Sequence, residues 1–211
     1  MFPPSGRQAL AVHGRLLDAE MLDWERRTFG CNPNLVLDRI ARRPLNEAFA
    51  LAYSSYYLYF AVPPLYFARA GRTRDLDRYA LAVCTAQYAC FLGFAALPLA
   101  GPIAALSSSF DPPRLAGYLA VPAQTWLMER ADPPGTCFPS SHVAGAWAAT
   151  LAAFPALPRP VAWTMTALTT ALTASVVHCR YHYAVDAVAG LAVAHLAHRT
   201  ARRYAGTART S

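Results

Sequence analysis

The chain has 211 residues, of which 55% are hydrophobic and 15% charged, with a formal net charge of +7. A soluble domain carries about 25% charged residues, and the apolar residues here lie in long runs without polar faces, which argues against a soluble helical core. All 19 basic residues are arginine and they flank the apolar runs, where arginine anchors to headgroups, so nucleic-acid binding is a poor reading of the charge.

The absence of lysine suggests a GC-rich genome, and a prokaryotic cell membrane is the expected location. Met1 to Gln8 lead into Arg15, Asp18 and Glu20, so no signal peptide is expected. Residues 1–44 form an N-terminal segment in which Leu10, Leu17, Met21 and Trp24 recur at helical spacing. Arg15, Asp18, Glu20 and Arg26 lie elsewhere around that helix, which predicts an interfacial rather than a spanning segment.

Residues 45–211 hold the expected bundle. A bilayer core of about 30 Å needs about 20 apolar residues in a helix. The first span is predicted from Leu45 to Phe67, with Tyr53, Tyr56, Tyr57 and Phe60 on one face as packing groups. Pro63-Pro64 should kink or end it. Arg69, Arg72, Arg74 and Arg78 fill the next loop, and the second span covers Tyr79 to Leu97. A long loop, 98–139, holds Asp111-Pro112-Pro113-Arg114, a short helical stretch within Leu115–Met128, and Asp132-Pro133-Pro134-Gly135. Long loops in compact bundles are often functional. The third span starts at Ser140 or Ser141 and ends near Phe154, the fourth runs from Val161 to Val177, and the fifth from Tyr183 to His198. The expected fold is thus all-α, an integral membrane bundle of five transmembrane helices, or six with one more from the N-terminal segment.

Two short stretches carry the chemistry: Phe138-Pro139-Ser140-Ser141-His142 and Arg180-Tyr181-His182-Tyr183-Ala184-Val185-Asp186. Two crossings separate His142 from His182, and an even number returns the chain to the same membrane face. Both histidines should therefore meet at one end of the bundle. Ser140 and Ser141 suit the N-cap of the third span, and a helix N-terminus offers amides and a favourable dipole to an anion. His182 and Asp186 are four apart, so the carboxylate can accept from one imidazole nitrogen and leave the other as nucleophile. Arg180 can bind a phosphoryl group through parallel hydrogen bonds. A metal held by His142, His182 and Asp186 is the competing reading, and the neighbouring arginine favours an anion over a cation. Asp186 could also be only a helix start signal. His178, His195 and His198 are read as packing or interfacial residues. The five cysteines contain no CxxC pair. Cys84 and Cys90 are expected to pack within a span, and Cys137 and Cys179 to be reduced thiols, with a disulfide between them requiring an oxidising side.

These paired motifs resemble the type 2 phosphatidic acid phosphatase superfamily of membrane lipid phosphatases and phosphotransferases. The resemblance runs through Phe138 to Gly145 and Tyr181 to Gly190, and the order of spans fits from about residue 45 to 200. It implies a metal-independent reaction without cofactors, in which His182 attacks phosphorus, His142 protonates the leaving oxygen and Asp186 orients His182. Arg180, Ser140 and the Ser141 amide would hold the phosphoryl oxygens. Three departures stand out. The superfamily's first motif begins with lysine and this chain has none, so Arg114 is the candidate replacement. Ser175 is followed by Val176 where the superfamily carries arginine, and Arg180 takes its place, as in the branch that includes inositol phosphorylceramide synthases. Five spans are counted where six are common.

The resemblance leaves three functions open: hydrolysis of a lipid phosphate or diphosphate, transfer of a phosphorylated headgroup between lipids, and lipid binding without catalysis. The expected partners are a lipid phosphate and the bilayer. The arginines on the non-catalytic side put the active site outside the cytoplasm, whereas seven arginines within residues 1–44 argue the opposite.

Overall fold

The computed structural model describes residues 13–110, 112–131 and 135–207. Met1 to Gln8, Leu10, Asp111 and Asp132-Pro133-Pro134 lie outside these ranges. Among the described residues ten α-helices follow in chain order: α1 (Asp18–Phe29), α2 (Pro33–Asp38), α3 (Arg43–Ser54), α4 (Tyr56–Arg69), α5 (Thr73–Ala96), α6 (Pro102–Ala105), α7 (Ala120–Ala131), α8 (Ser141–Ala153), α9 (Arg159–His178) and α10 (Ala184–Thr207). Short 3-10 turns cover Pro112–Leu115 and Phe154–Ala156. No strand occurs among the described residues.

The centre of the bundle is the mutual packing of α5, α8 and α10; α9 lies against α8 and α3, and α4 against α5 and α8. Helix α8 is buried almost all round, and its packed positions are small: Ala144, Gly145, Ala146, Ala148, Ala149, Ala152 and Ala153. Small residues let backbones approach closely, which is how helices associate when lipid supplies no hydrophobic drive. Many of the large apolar side chains on the neighbouring helices point the other way. Leu58, Val62 and Leu65 of α4, Phe91 and Leu92 of α5, and Val161 and Trp163 of α9 are all exposed on the outside. Apolar surface of this extent marks contact with a membrane or another apolar partner. Helices α5 and α9 are each long and apolar enough to cross a bilayer.

The structure departs from the sequence expectation in the first predicted span. Ser55 breaks it into α3 and α4, with the Ser55 hydroxyl donating back to the Ala52 carbonyl at 2.6 Å. The expected aromatic face splits with it: Tyr53 is buried, whereas Tyr57 and Phe60 are exposed. Pro63 and Pro64 do not end the helix, which continues to Arg69. Proline at 63 leaves the Tyr59 carbonyl without its helical donor, and the Tyr79 hydroxyl donates to that carbonyl instead. Helix α5 starts before its predicted start at Tyr79, α10 runs past its predicted end at His198, and Cys84 is exposed where packing was expected.

Helix α1 faces the bundle differently from its apolar spacing. Met21 is buried but so are Asp18 and Glu25, while Trp24 is half exposed. The carboxylates turn inward because backbone N–H groups are waiting there. Asp18 accepts from the amides of Ala100 and Gly101, each at 2.9 Å. Glu25 accepts from the Ala184 amide at 2.5 Å.

Candidate active site

Helix α9 ends at His178, and the chain turns sharply before α10. The amides of Tyr181 and His182 both donate to the Val176 carbonyl, at 3.1 and 3.0 Å. Arg180 takes a left-handed conformation with φ of 64°, which costs a non-glycine residue roughly 1–3 kcal/mol. Its side chain is anchored in compensation: the guanidinium pairs with Asp38 of α2 and lies over the Phe110 ring, 4.2 Å from the centroid. Asn34, also from α2, bridges the turn by donating to the carbonyls of Val177 and His182 at 2.9 and 3.1 Å. His178 is buried, 2.9 Å from Asn46 Oδ1 and stacked on Phe49, so it acts as a packed residue.

This turn presents His182 to the N-terminus of α8. The rings of His142 and His182 lie 5.8 Å apart at the same end of the bundle. The close approach depends on two glycines. A Cβ at Gly190 would sit 2.7 Å from the Ser140 carbonyl oxygen, and one at Gly93 would sit 2.2 Å from Pro139. The Ser140 amide donates to the Asp186 carbonyl at 3.1 Å, tying the two motifs together through the backbone. The Ser140 hydroxyl caps α8 by accepting from the Val143 amide at 3.4 Å, as its N-cap reading predicts. Ser141 opens α8 half-buried, and helix geometry leaves the Ser141 and His142 amides without intrahelical acceptors.

Around His182 the contacts converge on Nδ1. It lies 3.0 Å from the Cys137 carbonyl, 3.5 Å from Cys137 Sγ and 3.5 Å from Asp186 Oδ2. Asp186 is fully buried; its Oδ2 accepts from the Cys137 thiol at 2.9 Å and from the Tyr183 amide at 3.0 Å. The carboxylate therefore works through three neighbours, and the shorter partner of the imidazole is a backbone carbonyl. Both hold the same ring nitrogen, which sets the tautomer and leaves Nε2 for chemistry. Cys137, His182 and Asp186 also offer donor atoms within 4.8 Å of one another, the metal-capable grouping among the described residues. In the structure these atoms bond to each other.

Tyr53 is a residue that the sequence assigns, with its neighbouring tyrosines, to packing and the membrane interface and not to a site. Its hydroxyl lies 2.9 Å from His142 Nε2 and 3.5 Å from Met128 Sδ, and its ring stacks near His142 and Tyr181. Tyr56 flanks the other side of His142, with ring centroids 4.4 Å apart. No local pattern separates Tyr53 from the other tyrosines of its run; the break at Ser55 does. The roles of Asp38, Asn34 and Cys137, the last read from sequence only as a thiol, are hidden for a related reason, since their partners lie 44 to 148 residues away in sequence.

A cavity of about 390 Å³ adjoins this cluster, lined by Gly101, Ile103, Thr125, Met128, Arg180 and Tyr181 among others. Leu115 also lines it, which puts the neighbouring Arg114 near its rim, exposed on the 3-10 turn. The Arg114 carbonyl accepts from Asn46 at 2.7 Å. Of the six predicted site residues other than Arg114, His142, His182, Asp186, Ser140 and Ser141 gather at one point, and Arg180 stands at the cavity wall held by Asp38.

Comparison with curated proteins and with solved structures finds no match. A family model described as the PAP2 superfamily matches residues 19–200, a range that includes both histidine motifs and all of α2 to α9, and the chain belongs to that superfamily.

Proposed function

We propose that the protein is a membrane-embedded phosphatase for a lipid phosphate or diphosphate. Membership of a superfamily of phosphatases and phosphotransferases supports the reaction class. The observation that carries the reading is the 5.8 Å approach of the His142 and His182 rings, with Nδ1 of His182 held by Cys137 and Asp186. His182 Nε2 attacks phosphorus, forming an N–P bond as the P–O bond to the leaving group breaks. His142 gives that oxygen its proton. Water then attacks phosphorus, the N–P bond breaks and phosphate leaves. The amides at the α8 N-terminus and Ser141 receive phosphoryl oxygens, with Ser140 fixing the helix end. Arg180 and Arg114 supply positive charge along the cavity. The lipid tail lies among the exposed apolar side chains, in a bundle of five spans, or six, whose active end faces away from the cytoplasm. Clusters at Arg69, Arg72 and Arg74, at Arg159, and at Arg199, Arg202 and Arg203 at the opposite end support that orientation.

The test is phosphate release from a panel of lipid phosphates and diphosphates by detergent-purified protein, with headgroup exchange between lipids measured alongside. His182→Ala is expected to abolish both turnover and the phosphoenzyme; turnover retained in that variant would sink the mechanism. A chelator is expected to leave the rate unchanged, and strong inhibition would favour a metal at Cys137, His182 and Asp186.

A further inference from the structure

The loop that carries His182 is held from a helix more than 150 residues earlier in the chain, by two buried carboxylates. Glu25 is fully buried, and its Oε1 accepts from the Ala184 amide at 2.5 Å and the Val185 amide at 3.4 Å. Asp18, two turns earlier on the same face of α1, accepts from the Tyr183 hydroxyl and the Gly101 amide, each at 2.9 Å. Residues 183 to 185 separate His182 from Asp186. The first amides of α10 have no acceptors within their own helix. Asp186 takes the Tyr183 amide and Glu25 takes the next two. Two carboxylates thus share one helix N-terminus, a setting that favours negative charge.

We propose that Glu25 is a positioning residue for the His182–Asp186 pair, and that Asp18 and Glu25 make α1 a structural part of the active site. The inference rests on the phosphatase reading above for its kinetic consequence, but the contact itself does not. Without the Glu25 acceptor the amides of Ala184 and Val185 turn to the nearest carboxylate, which is Asp186. That draws Asp186 away from Cys137 and His182 and releases the imidazole. The charge acting on Glu25 is that of Asp186 from the α10 side; Tyr183 and Cys137 are the titratable groups in the cluster packed around Met21, Asp18 lies on the same helix, and α6, which also packs on α1, carries none. Burial, with the Asp186 charge adding to it, pushes the Glu25 carboxyl up to about 7. Its second oxygen, Oε2, is buried without a hydrogen-bond partner among the described residues.

The experiment compares wild type, Glu25→Ala and Glu25→Gln by two readouts. The first is kcat and KM for phosphate release. Glu25→Ala is expected to lose at least about tenfold in kcat with KM within about twofold, whereas the glutamine, whose amide oxygen keeps the acceptor, recovers most of the loss. The second needs no substrate: the rate at which diethyl pyrocarbonate modifies His182 as a function of pH, mapped by mass spectrometry with His195 as an exposed reference. The wild-type profile is expected to carry a step near neutral pH from Glu25 that Glu25→Gln lacks. Wild-type kcat in Glu25→Ala, or superimposable His182 profiles in wild type and Glu25→Gln, overturns the proposal. A wild type that releases no phosphate from any lipid defeats the phosphatase reading alone, because the modification profile still decides the role of Glu25. If the alanine variant does not fold, the glutamine profile decides it.

Discussion

His142 and His182 are chemically alike, and their surroundings make them different. His182 is held at Nδ1 by a carbonyl and a carboxylate, while His142 meets the Tyr53 hydroxyl at Nε2 and sits between two tyrosine rings. The Tyr53 contact fixes which way the His142 ring faces. Tyr53→Phe keeps the ring packing and removes one hydrogen bond, whose net worth is about 0.5–1.5 kcal/mol. The expected outcome is a three- to tenfold fall in kcat, roughly that energy expressed as a rate, with thermal stability lowered by no more than the same energy. A wild-type rate in steady-state assays would reduce Tyr53 to a packing residue. Arg180 is the other instructive case. Sequence reads it as a phosphate ligand, yet Asp38 and Phe110 anchor it. Its anchoring explains how a non-glycine residue holds a left-handed turn beside the nucleophile.

At the scale of elements, the site is a junction of helix ends. The N-termini of α8 and α10 meet, the turn after α9 supplies His182, and α1 and α2 fasten that turn from outside. The junction closes only because α10 lacks a side chain at Gly190 where it crosses the start of α8. Gly190→Ala places a methyl group 2.7 Å from the Ser140 carbonyl and 3.1 Å from Val143 Cβ. Neither neighbour is the end of a flexible side chain, so the helices must separate. Overpacking of this kind costs about 1–3 kcal/mol. A lowered unfolding temperature, with kcat reduced as the two histidines move apart, is the expected result; a variant with wild-type stability and rate would contradict the packing described.

For the whole molecule, the distribution of charge and of surface makes two further outcomes measurable. Glu25 is held near 7 in the fold and returns to an ordinary carboxylate on unfolding. Between those values the folded state binds the extra proton, so its stability is fully present below the unfolded value and is lost as pH rises through about 7. Thermal unfolding in detergent should show wild type losing stability from pH 5 to 8 relative to Glu25→Gln; parallel curves would refute the assignment. The second concerns orientation. Cys31 is exposed just beyond α1, the helix that fastens the active end, whereas Cys90, Cys137 and Cys179 are buried and Cys84 lies on the apolar surface of α5. A membrane-impermeant maleimide added to intact cells should label Cys31, with Cys31→Ser as control. Labelling only after lysis would turn the active end to the cytoplasm.

The sequence by itself determined the helical class, the apolar runs, the cap at Ser140 and the meeting of two motifs. These depend on local composition, on a four-residue spacing and on the parity of the two helices between the motifs, all of which a linear chain carries. It also carried enough of both motifs to indicate the superfamily. Tertiary structure alone decided the rest. The break at Ser55 turns Tyr53 towards His142, the Cys137 carbonyl shares with Asp186 the imidazole nitrogen that Asp186 alone was expected to hold, and Asp38 holds Arg180. The inward turn of Asp18 and Glu25 runs against the apolar spacing of α1, because their acceptor atoms answer backbone amides across the fold. Long-range hydrogen bonds of this sort leave no periodic signal, since each partner is set by where helices end in space and not by how far apart residues stand in the chain.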